Sequence, residues 1–390
     1  MSQSLPLAEV RALFPHSRDQ IYLNHAAISP FSTHVVAALE AFIQQRHLDE
    51  IENYWSMLPK IQDLRERLAR LVGGRAEGIA FVPNTSFGLN LLATGLKWQA
   101  GDRILLNRLE FPANVYPFLN CRRFGVEVDF VEPRADRLIH LDDIAAAIRP
   151  QTRLLSISHV QFLTGQRVDL AALGQLCRAR GLLFCVDAIQ SLGATDLDVR
   201  ALNIDFLATG GHKWLMGPQG QGFVHITHEL IEKLEPAMVG WLSVQDAWNL
   251  LDYQLKLRPD AARFETGSFN ALGLTGMLAA QEVFARWPMA EIRNHVLDLS
   301  GFLIHGLQEL GLKVITPAEP EQRLGIVTCE HPEADQIREG LEAHQIKVSA
   351  REGSYLRFAP HFYNSRAELT RVLKQLKQQL GKQRRSCGIW

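Results

Sequence analysis

Residues 182–190 read LLFCVDAIQ, and residues 206–214 read FLATGGHKW. Each begins with an apolar run that lacks polar alternation, which is typical of a strand buried on both faces of a parallel sheet. The first run ends on Asp187, and the second runs through two glycines and a histidine to Lys213. Because neighbouring parallel strands end at the same edge of a sheet, the pattern predicts that Asp187 and Lys213 lie side by side.

Short apolar runs alternate with longer amphipathic segments from about residue 59 to residue 224. Strands are predicted at residues 79–82, 103–107, 127–131, 153–158, 182–186, 206–209 and 222–226. Helices are predicted between them, at residues 61–71, 88–96, 114–124, 141–148 and 170–180. Strands that alternate with helices predict βαβ units, and therefore an α/β fold with a mostly parallel, seven-stranded sheet.

The pattern changes after about residue 269. Helices are predicted at residues 272–286, 289–310 and 366–380, and strands at 313–316, 324–328, 347–350 and 355–358. This order is typical of a small α+β domain. We therefore expect a large domain at residues 21–270, a small C-terminal domain at 271–390, and an N-terminal segment, 1–20, that packs on the small domain.

The composition excludes several classes of protein. The 390 residues include 41 basic and 42 acidic side chains, and this balance gives no general attraction to nucleic acid or to anionic membranes. No apolar run approaches the roughly 20 residues that span a bilayer. The five cysteines, which include Cys387, form no C-x-x-C pair, so neither disulfides nor a metal site are expected. A reducing, cytoplasmic location fits this cysteine usage.

Asp187 and Lys213 suit one cofactor chemistry when they are taken together. A carboxylate at the end of a buried strand needs a cationic partner, and a protonated pyridine nitrogen is a suitable one. A lysine beside a cofactor pocket can form a Schiff base, and burial lowers its pKa. Taken singly, Asp187 could instead cap a turn, and Lys213 could lie on the surface in a glycine-rich loop.

The segment FVPNTSFGLN at residues 81–90 supplies a third element. A strand ends, a turn follows, and a helix begins with small polar residues. Free N–H groups at a helix N-terminus bind phosphate, and Thr85 and Ser86 add hydroxyl groups. Plain N-capping by Asn84 or Thr85 is the alternative. A phosphate cradle, an acid and a lysine together match pyridoxal 5′-phosphate (PLP).

These motifs resemble those of the class V aminotransferase family, which consists of PLP-dependent enzymes of fold type I. The resemblance runs from YLNHAA at residues 22–27 to RFAPHFYN at residues 357–364. It is most specific between residues 158 and 222, where Asp187-x-x-Gln190 and His212-Lys213 occur. The family includes cysteine desulfurases, selenocysteine lyases, kynureninases and isopenicillin N epimerase-like proteins.

The resemblance implies roles at the cofactor ring. Lys213 is similar to the lysine that forms the internal aldimine, and Asp187 to the partner of the pyridinium nitrogen. Gln190 is similar to the residue near the phenolic oxygen, and His212 to a neighbour of the phosphate or of the lysine. Phe111 occupies the position of the aromatic residue that stacks on the ring, and it cannot transfer protons. Proton transfer at Cα would therefore fall to Lys213.

The resemblance also implies how the phosphate and substrate are held. Asn84, Thr85 and Ser86 resemble the phosphate-binding turn. Ser268 belongs to a loop that family members extend across a dimer interface, so a homodimer with active sites at that interface is implied.

Three residues are implied to bind a small amino-acid substrate. Arg357 resembles the arginine that binds the α-carboxylate, and its planar guanidinium suits that group. Asn24 and His25 belong to a motif at the mouth of the active site. His25 could contact substrate, act as an acid or base, or simply hydrogen-bond a loop.

The sequence departs from the cysteine desulfurases of the family in two places. Their mobile cysteine precedes the carboxylate-binding arginine, but residues 348–357 read VSAREGSYLR and contain no cysteine. Phe162 replaces an asparagine that would bond the phenolic oxygen. Cys329 lies on a predicted strand, where we expect an inert buried thiol. These departures resemble the isopenicillin N epimerase-like branch and argue against a persulfide route.

We therefore expect a PLP-dependent enzyme that acts at Cα of an amino acid as an aminotransferase or an epimerase-like enzyme. Cysteine or selenocysteine lyase chemistry by β-elimination is the second expectation. The rival from another class is a regulator that binds PLP or an amino acid without turnover. A nucleotide-binding dehydrogenase is disfavoured, because no strand-linked G-x-G-x-x-G motif is present.

Overall fold

Thirteen strands and twelve α-helices occur in residues 5–386, the part of the chain that the computed structural model describes. The strands are β1 (Ile21–Tyr22), β2 (Ile79–Val82), β3 (Arg103–Asn107), β4 (Glu127–Val131), β5 (Thr152–Ser158), β6 (Leu183–Asp187), β7 (Phe206–Gly210), β8 (Gly222–Ile226), β9 (Lys313–Val314), β10 (Val327–Glu330), β11 (Ile346–Lys347), β12 (Ser349–Arg351) and β13 (Tyr355–Phe358). The helices are α1 (Leu7–Ala12), α2 (Thr33–Leu48), α3 (Tyr54–Leu71), α4 (Thr85–Gly95), α5 (Tyr116–Leu119), α6 (Leu141–Ala147), α7 (Leu170–Arg180), α8 (His228–Ile231), α9 (Ala271–Phe284), α10 (Met289–Glu309), α11 (Ala334–Glu342) and α12 (Arg366–Ser386).

A seven-stranded sheet forms the centre of the fold, with the strand order β2-β8-β7-β6-β5-β3-β4. Strand β8 runs antiparallel to both of its neighbours, and the other neighbouring pairs are parallel. The prediction of a mostly parallel, seven-stranded α/β sheet is therefore confirmed. No helix among residues 5–386 is long and apolar enough to cross a membrane.

Both faces of this sheet are buried, which explains the apolar runs without alternation. In β6, Phe184 and Val186 point to the core beneath α3, α7 and α9, whereas Cys185 points to the core beneath α4 and α5. In β7, Leu207 joins the first core and Phe206 joins the second. Each strand side chain is therefore buried on whichever face of the sheet it lies. Burial of apolar surface stabilises the fold by about 25 cal/mol per Å².

A second sheet, with the order β12-β13-β10-β9, is antiparallel. Strand β1 pairs in parallel with β11, and Ile21 and Leu23 join the core of this C-terminal part. At the N-terminus, Val10 and Phe14 pack against a cluster that contains Phe362. Helix α9 supplies Leu274 and Met277 to the core of the seven-stranded sheet. The division into domains at residues 20 and 270 stays a prediction.

Several elements differ from the sequence-based expectation. Helix α2 was not predicted, because Val35 is its one buried residue and its packing depends on contacts with Ala279 and Ala280 of α9. The predicted helix at 114–124 is instead the short helix α5 between two 3₁₀ turns. Pro117 lies in the first turn of α5, where its missing N–H group costs no helical hydrogen bond, so it favours a helix that begins near residue 116 and not at 114.

The loop after β6 lies directly against the segment that carries Lys213, and this contact depends on Gly193. Its φ is +103°, and a Cβ atom there would overlap the carbonyl group of Trp214. Substitution G193A should lower the free energy of unfolding by at least about 3 kcal/mol, because strain and overlap add. Urea denaturation measures this loss.

Gly181 provides the matched control. It also has a positive φ, +67°, but no atom lies within 4 Å of the position that its Cβ would take. Substitution G181A should therefore lower the free energy of unfolding by only about 1–2 kcal/mol, the cost of placing a Cβ atom on left-handed backbone. Equal losses for the two variants would contradict the proposed role of the Trp214 carbonyl.

Candidate active site

A cavity of about 580 Å³ lies at the carboxyl edge of the seven-stranded sheet. Asp187 is the last residue of β6 and pairs in register with Ala208 of β7, and Lys213 follows the end of β7 by three residues. The predicted proximity of Asp187 and Lys213 is confirmed, since both side chains line this cavity. Its lining residues are Ala26, Ala27, Asn84, Thr85, Ser86, Phe111, Ala113, Phe162, Asp187, Ile189, Gln190, His212, Lys213, Arg351 and Arg357.

Asp187 is buried and accepts a hydrogen bond of 2.9 Å from the backbone N–H of Ile189. Burial raises the pKa of Asp187, the nearby Glu110 raises it further, and Lys213 opposes both effects. Glu110 itself is buried and accepts hydrogen bonds from Asn107, Asn114, Ser158 and Gln161. A cationic group in the cavity would favour the ionised form of Asp187.

Burial also lowers the pKa of Lys213, and the positive charges of Arg357 and Arg351 add to this effect, whereas Asp187 opposes it. A lowered pKa increases the fraction of neutral, nucleophilic amine at a given pH. The Nζ atom lies 5.5 Å from the centre of the Phe111 ring. Phe111 in turn packs edge-to-face against Phe162, with 5.2 Å between ring centres. Lys213 therefore faces an aromatic wall.

Arg357 on β13 is buried without a carboxylate partner among the described residues. Its Nε donates to Ser349 Oγ at 3.2 Å, and Nη1 donates to the carbonyl oxygen of Phe162 at 2.7 Å. The buried Nη2 has no hydrogen-bond partner. Burial, with the charge of Arg351 as the second cause, lowers the pKa of Arg357. A buried guanidinium with a free donor is suited to bind an anion.

Helix α4 presents its N-terminus to the same cavity. Asn84 Oδ1 accepts a hydrogen bond of 2.8 Å from the N–H of Phe87, so the capping alternative holds for Asn84. The hydroxyl oxygen of Thr85 is buried without a partner, and Ser86 lies beside it. The first N–H groups of a helix lack partners within the helix, and they are ready to bind an anion.

Gln190 and His212 line the cavity, but both are also tied to the protein around it. The side chain of Gln190 donates to the carbonyl oxygen of Ala26 at 3.0 Å and accepts from Trp214 Nε1 at 2.9 Å. Burial and the charge of Lys213 lower the pKa of His212, which favours its neutral form. Gln190 thus fixes the residue next to Lys213, and its proposed contact with the cofactor stays a prediction.

His25 and Asn24 are not among the residues that line the cavity. His25 is fully buried, its Nδ1 donates to the carbonyl oxygen of Ala359 at 2.6 Å, and Nε2 lies 2.9 Å from Tyr363 Oη. Burial is the main reason that the pKa of His25 is well below its usual value. A neutral ring that donates from Nδ1 accepts at Nε2 from the tyrosine. Of its predicted roles, this geometry matches the hydrogen-bonding one.

Ser268 also lies away from Lys213. It lines a separate cavity of about 380 Å³, together with Glu265, Thr266 and Phe81. The buried ion pair of Glu265 with Arg65, 2.9 Å long, anchors the loop that carries Ser268. The structure therefore does not bring Ser268 to the cavity of its own chain.

Six residues of the cavity were not identified as site residues from the sequence: Ala26, Ala27, Ala113, Phe162, Ile189 and Arg351. Phe162 had been noted only as a departure from the family pattern. Arg351 lies in the quoted segment 348–357, but it shares a face with Arg357 only through the register that pairs Ser349 of β12 with Arg357 of β13, which the sequence does not show. No group of three or more metal-binding side chains occurs within residues 5–386.

The groups on the cavity wall fit pyridoxal 5′-phosphate. The orphaned Thr85 hydroxyl and the N-terminus of α4 suit a phosphate, and the buried Asp187 suits a protonated pyridine nitrogen. Lys213 supplies an amine of lowered pKa for the aldehyde, and the aromatic wall of Phe111 suits a flat ring.

Comparisons with known proteins agree with this fit. The chain matches the family model for class V aminotransferases over residues 21–367. It is 27% identical to a probable cysteine desulfurase of Methanothermobacter thermautotrophicus, over 96% of this chain and 98% of the relative. It is 32% identical to isopenicillin N epimerase of Streptomyces clavuligerus, over 80% of this chain and 82% of the relative.

A solved structure agrees along nearly the whole chain. The cystine C–S lyase C-DES, in complex with its product cysteine persulfide, superposes with a TM-score of 0.87 at 26% identity. The match covers 93% of this chain and 99% of the lyase. With its sheet order, its cavity and its cofactor-binding groups, this chain belongs to the class V aminotransferase family, whose cofactor is pyridoxal 5′-phosphate.

Proposed function

We propose that this enzyme acts at Cα of an amino acid, with Lys213 as the base and amino-group transfer as the favoured outcome. The observation that carries the proposal is the joint placement of Lys213, Asp187 and the unpartnered Arg357 in one cavity. When bound, PLP supplies an aldehyde that is reactive toward amines and a ring that accepts electron density from Cα.

The residues of the chain divide the remaining work. Thr85 and Ser86 hold the phosphate at the N-terminus of α4, and Asp187 stabilises a protonated ring nitrogen. Arg357 binds the α-carboxylate of the substrate and thereby orients the bonds of Cα. Lys213 removes the proton from Cα, and its lowered pKa suits a base that works near neutral pH.

The aromatic wall favours amino-group transfer over epimerisation. Phe111 and Phe162 carry no group that can donate or accept a proton. Epimerisation requires that a proton reach Cα from the face opposite to the one it left, whereas transfer requires only one base. Epimerisation is the second candidate, supported by the relative from Streptomyces clavuligerus, which is named an isopenicillin N epimerase.

Lyase chemistry on a sulfur-containing amino acid is a further candidate, supported by the similarity to the C–S lyase C-DES. A persulfide route is less well supported. Cys121, Cys177, Cys185 and Cys329 are buried, and none lines the cavity. Burial raises the pKa of Cys121 to about 11 and that of Cys329 to about 12, which disfavours the reactive thiolate. Cys387 lies outside the described residues.

We also infer that the enzyme is a homodimer with its active sites at the interface. Four large apolar side chains of α2, of the link after it and of the start of α3 are exposed (Ile43, Leu48, Ile51 and Trp55), and a second copy would remove such surface from water. Ser268, which lies away from the cavity of its own chain, would reach the cofactor of the partner. Sedimentation equilibrium tests the oligomeric state.

Exchange of the Cα hydrogen tests the reaction directly. The PLP-loaded enzyme should exchange this hydrogen with solvent deuterium for some L-amino acids, as measured by NMR. Substitution K213A should slow the exchange by about 10²–10⁴-fold, because a general base is lost. K97A, at an exposed lysine far from the cavity, is the control and should leave the exchange unchanged.

The products distinguish the candidates in the same samples. Amino-group transfer gives the 2-oxo acid, epimerisation gives the D-enantiomer, and lyase chemistry releases pyruvate or alanine. Release of alanine from L-cysteine, with sulfide released from the enzyme persulfide by an added dithiol reductant, would point to a persulfide route instead if C387S abolishes it. A complete lack of exchange with every amino acid would overturn the proposal in favour of a binding protein without turnover.

The lowered pKa of Lys213 predicts how the cofactor-free protein titrates. Its reductive methylation by formaldehyde, followed by peptide mass spectrometry, should begin at lower pH than for N-acetyllysine methylamide. The neutral amine reacts, and a lowered pKa makes it available earlier on raising the pH. R357Q should move the midpoint upward, because a positive charge that disfavours the ammonium form is removed. A downward or absent shift would contradict this electrostatic account.

A further inference from the structure

Arg351 is a second arginine in the cavity. It ends strand β12, which pairs with β13 so that Ser349 lies opposite Arg357. Side chains alternate along a strand, so Arg351, two residues from Ser349, shares a face with Arg357. Diagonal neighbours of this kind have Cβ atoms about 7–8 Å apart. The sheet therefore brings two arginines to the same cavity from adjacent strands.

A tight turn fixes the position of Arg351. Glu352 and Gly353 have φ angles of +48° and +67°, and they connect the two strands. The N–H of Ser354 closes the turn by donating to the carbonyl oxygen of Arg351 at 3.1 Å. The guanidinium itself donates only to the neighbouring carbonyl of Ala350, at 3.3 Å, among the described residues. Arg351 thus has a fixed backbone and a free charged end.

The charges around the cavity are unbalanced. Asp187 is the one carboxylate among the described residues that line it, whereas Lys213, Arg351 and Arg357 are basic. Asp187 already compensates Lys213, and the two arginines lower the pKa of that lysine. The phosphate cradle at Thr85 belongs to the other sheet. An α-carboxylate on Arg357 leaves Arg351 uncompensated, because the described lining contributes no carboxylate besides Asp187.

We propose that Arg351 binds a second carboxylate, so that the preferred substrate is an amino acid with an acidic side chain, such as aspartate or glutamate. This assignment rests on the proposed function for the reaction, but the binding of a diacid does not require turnover. Arg357 takes the α-carboxylate through its free Nη2, and Arg351 takes the side-chain carboxylate. Arg351 is therefore the residue that determines substrate class.

Matched acids and amides test the proposal with the PLP-loaded enzyme. L-Glutamate against L-glutamine, and L-aspartate against L-asparagine, differ by one charge at nearly constant shape. Dissociation constants from the visible absorption of the cofactor should favour each acid by about 10–100-fold, as expected for a charge-assisted hydrogen bond. In R351Q the ratio of the amide dissociation constant to the acid dissociation constant should fall to about one. In R351K this ratio should lie between that of R351Q and that of the unchanged enzyme.

The control is R338Q, which removes a half-buried arginine of α11 that pairs with Glu342, lies outside the cavity and changes the net charge equally. It should keep the ratio of the unchanged enzyme. A ratio near one in the unchanged enzyme would overturn the proposal. So would an R351Q variant that weakens acid and amide equally, because Arg351 would then serve the α-carboxylate or the cofactor.

Calorimetry separates this proposal from the proposed function. Glutarate and its monoamide, glutaramate, have no amino group and cannot react. The enzyme should bind glutarate about tenfold or more tightly than glutaramate, and R351Q should remove the difference. If no amino acid exchanges its Cα hydrogen but the enzyme still binds glutarate more tightly than glutaramate, the proposed reaction is wrong and the proposed carboxylate site at Arg351 is supported. Equal binding of glutarate and glutaramate overturns the subsite whatever the reaction.

Discussion

A buried carboxylate and a buried amine lie where two parallel strands end, and much of the site depends on this arrangement. Asp187 closes β6, and Lys213 follows β7 after a short turn. Asp187 is buried and Lys213 is half-buried on the cavity wall, and desolvation raises the pKa of the acid and lowers that of the base. The charge of Asp187 opposes the effect of burial on Lys213, whereas for Asp187 the hydrogen bond from the Ile189 N–H opposes burial first and the charge of Lys213 opposes it second.

Neutral side chains hold the segment around Lys213 by hydrogen bonds to Trp214, the residue that follows the lysine. His361 Nε2 donates to the carbonyl oxygen of Trp214 at 2.9 Å, and Gln190 accepts from the indole of the same residue. Burial lowers the pKa of His361 to about 3, so the ring stays neutral. His25 and Tyr363 continue the same network toward β13. Neutral partners can hold the lysine segment in place without adding charge that would disturb Asp187 and Lys213.

The sequence predicts most of the fold because the seven-stranded sheet is buried on both faces. Apolar runs such as 182–186 mark its strands to within a residue or two, and the carboxyl-end rule then places Asp187 and Lys213 together. The apolar pattern does not identify an element whose burial depends on one partner, as for α2, which packs on α9. It also fails for Arg351 and His25, whose surroundings follow from the register of β12 with β13 and from the Tyr363 contact.

The cavity spans two sheets, so their relative position sets the distance between cofactor and substrate. Thr85 begins α4 directly after β2 of the seven-stranded sheet, and Arg357 lies on β13 of the four-stranded one. The loop after β5 joins them, because Phe162 accepts from Arg357 at 2.7 Å and Leu163 accepts from Thr328 at 2.6 Å. Thr316 adds a third bond of 2.6 Å to this loop.

Because of these hydrogen bonds, the orientation of Arg357 relative to the seven-stranded sheet depends on the loop after β5. The carbonyl group of Phe162 accepts from the arginine that would bind the α-carboxylate, and the ring of Phe162 packs against Phe111 on the cavity wall. A shift of this loop would therefore move the carboxylate site and the wall together. Since well-oriented groups contribute several kcal/mol to catalysis, the loop connects the packing of the two sheets to the chemistry at Cα.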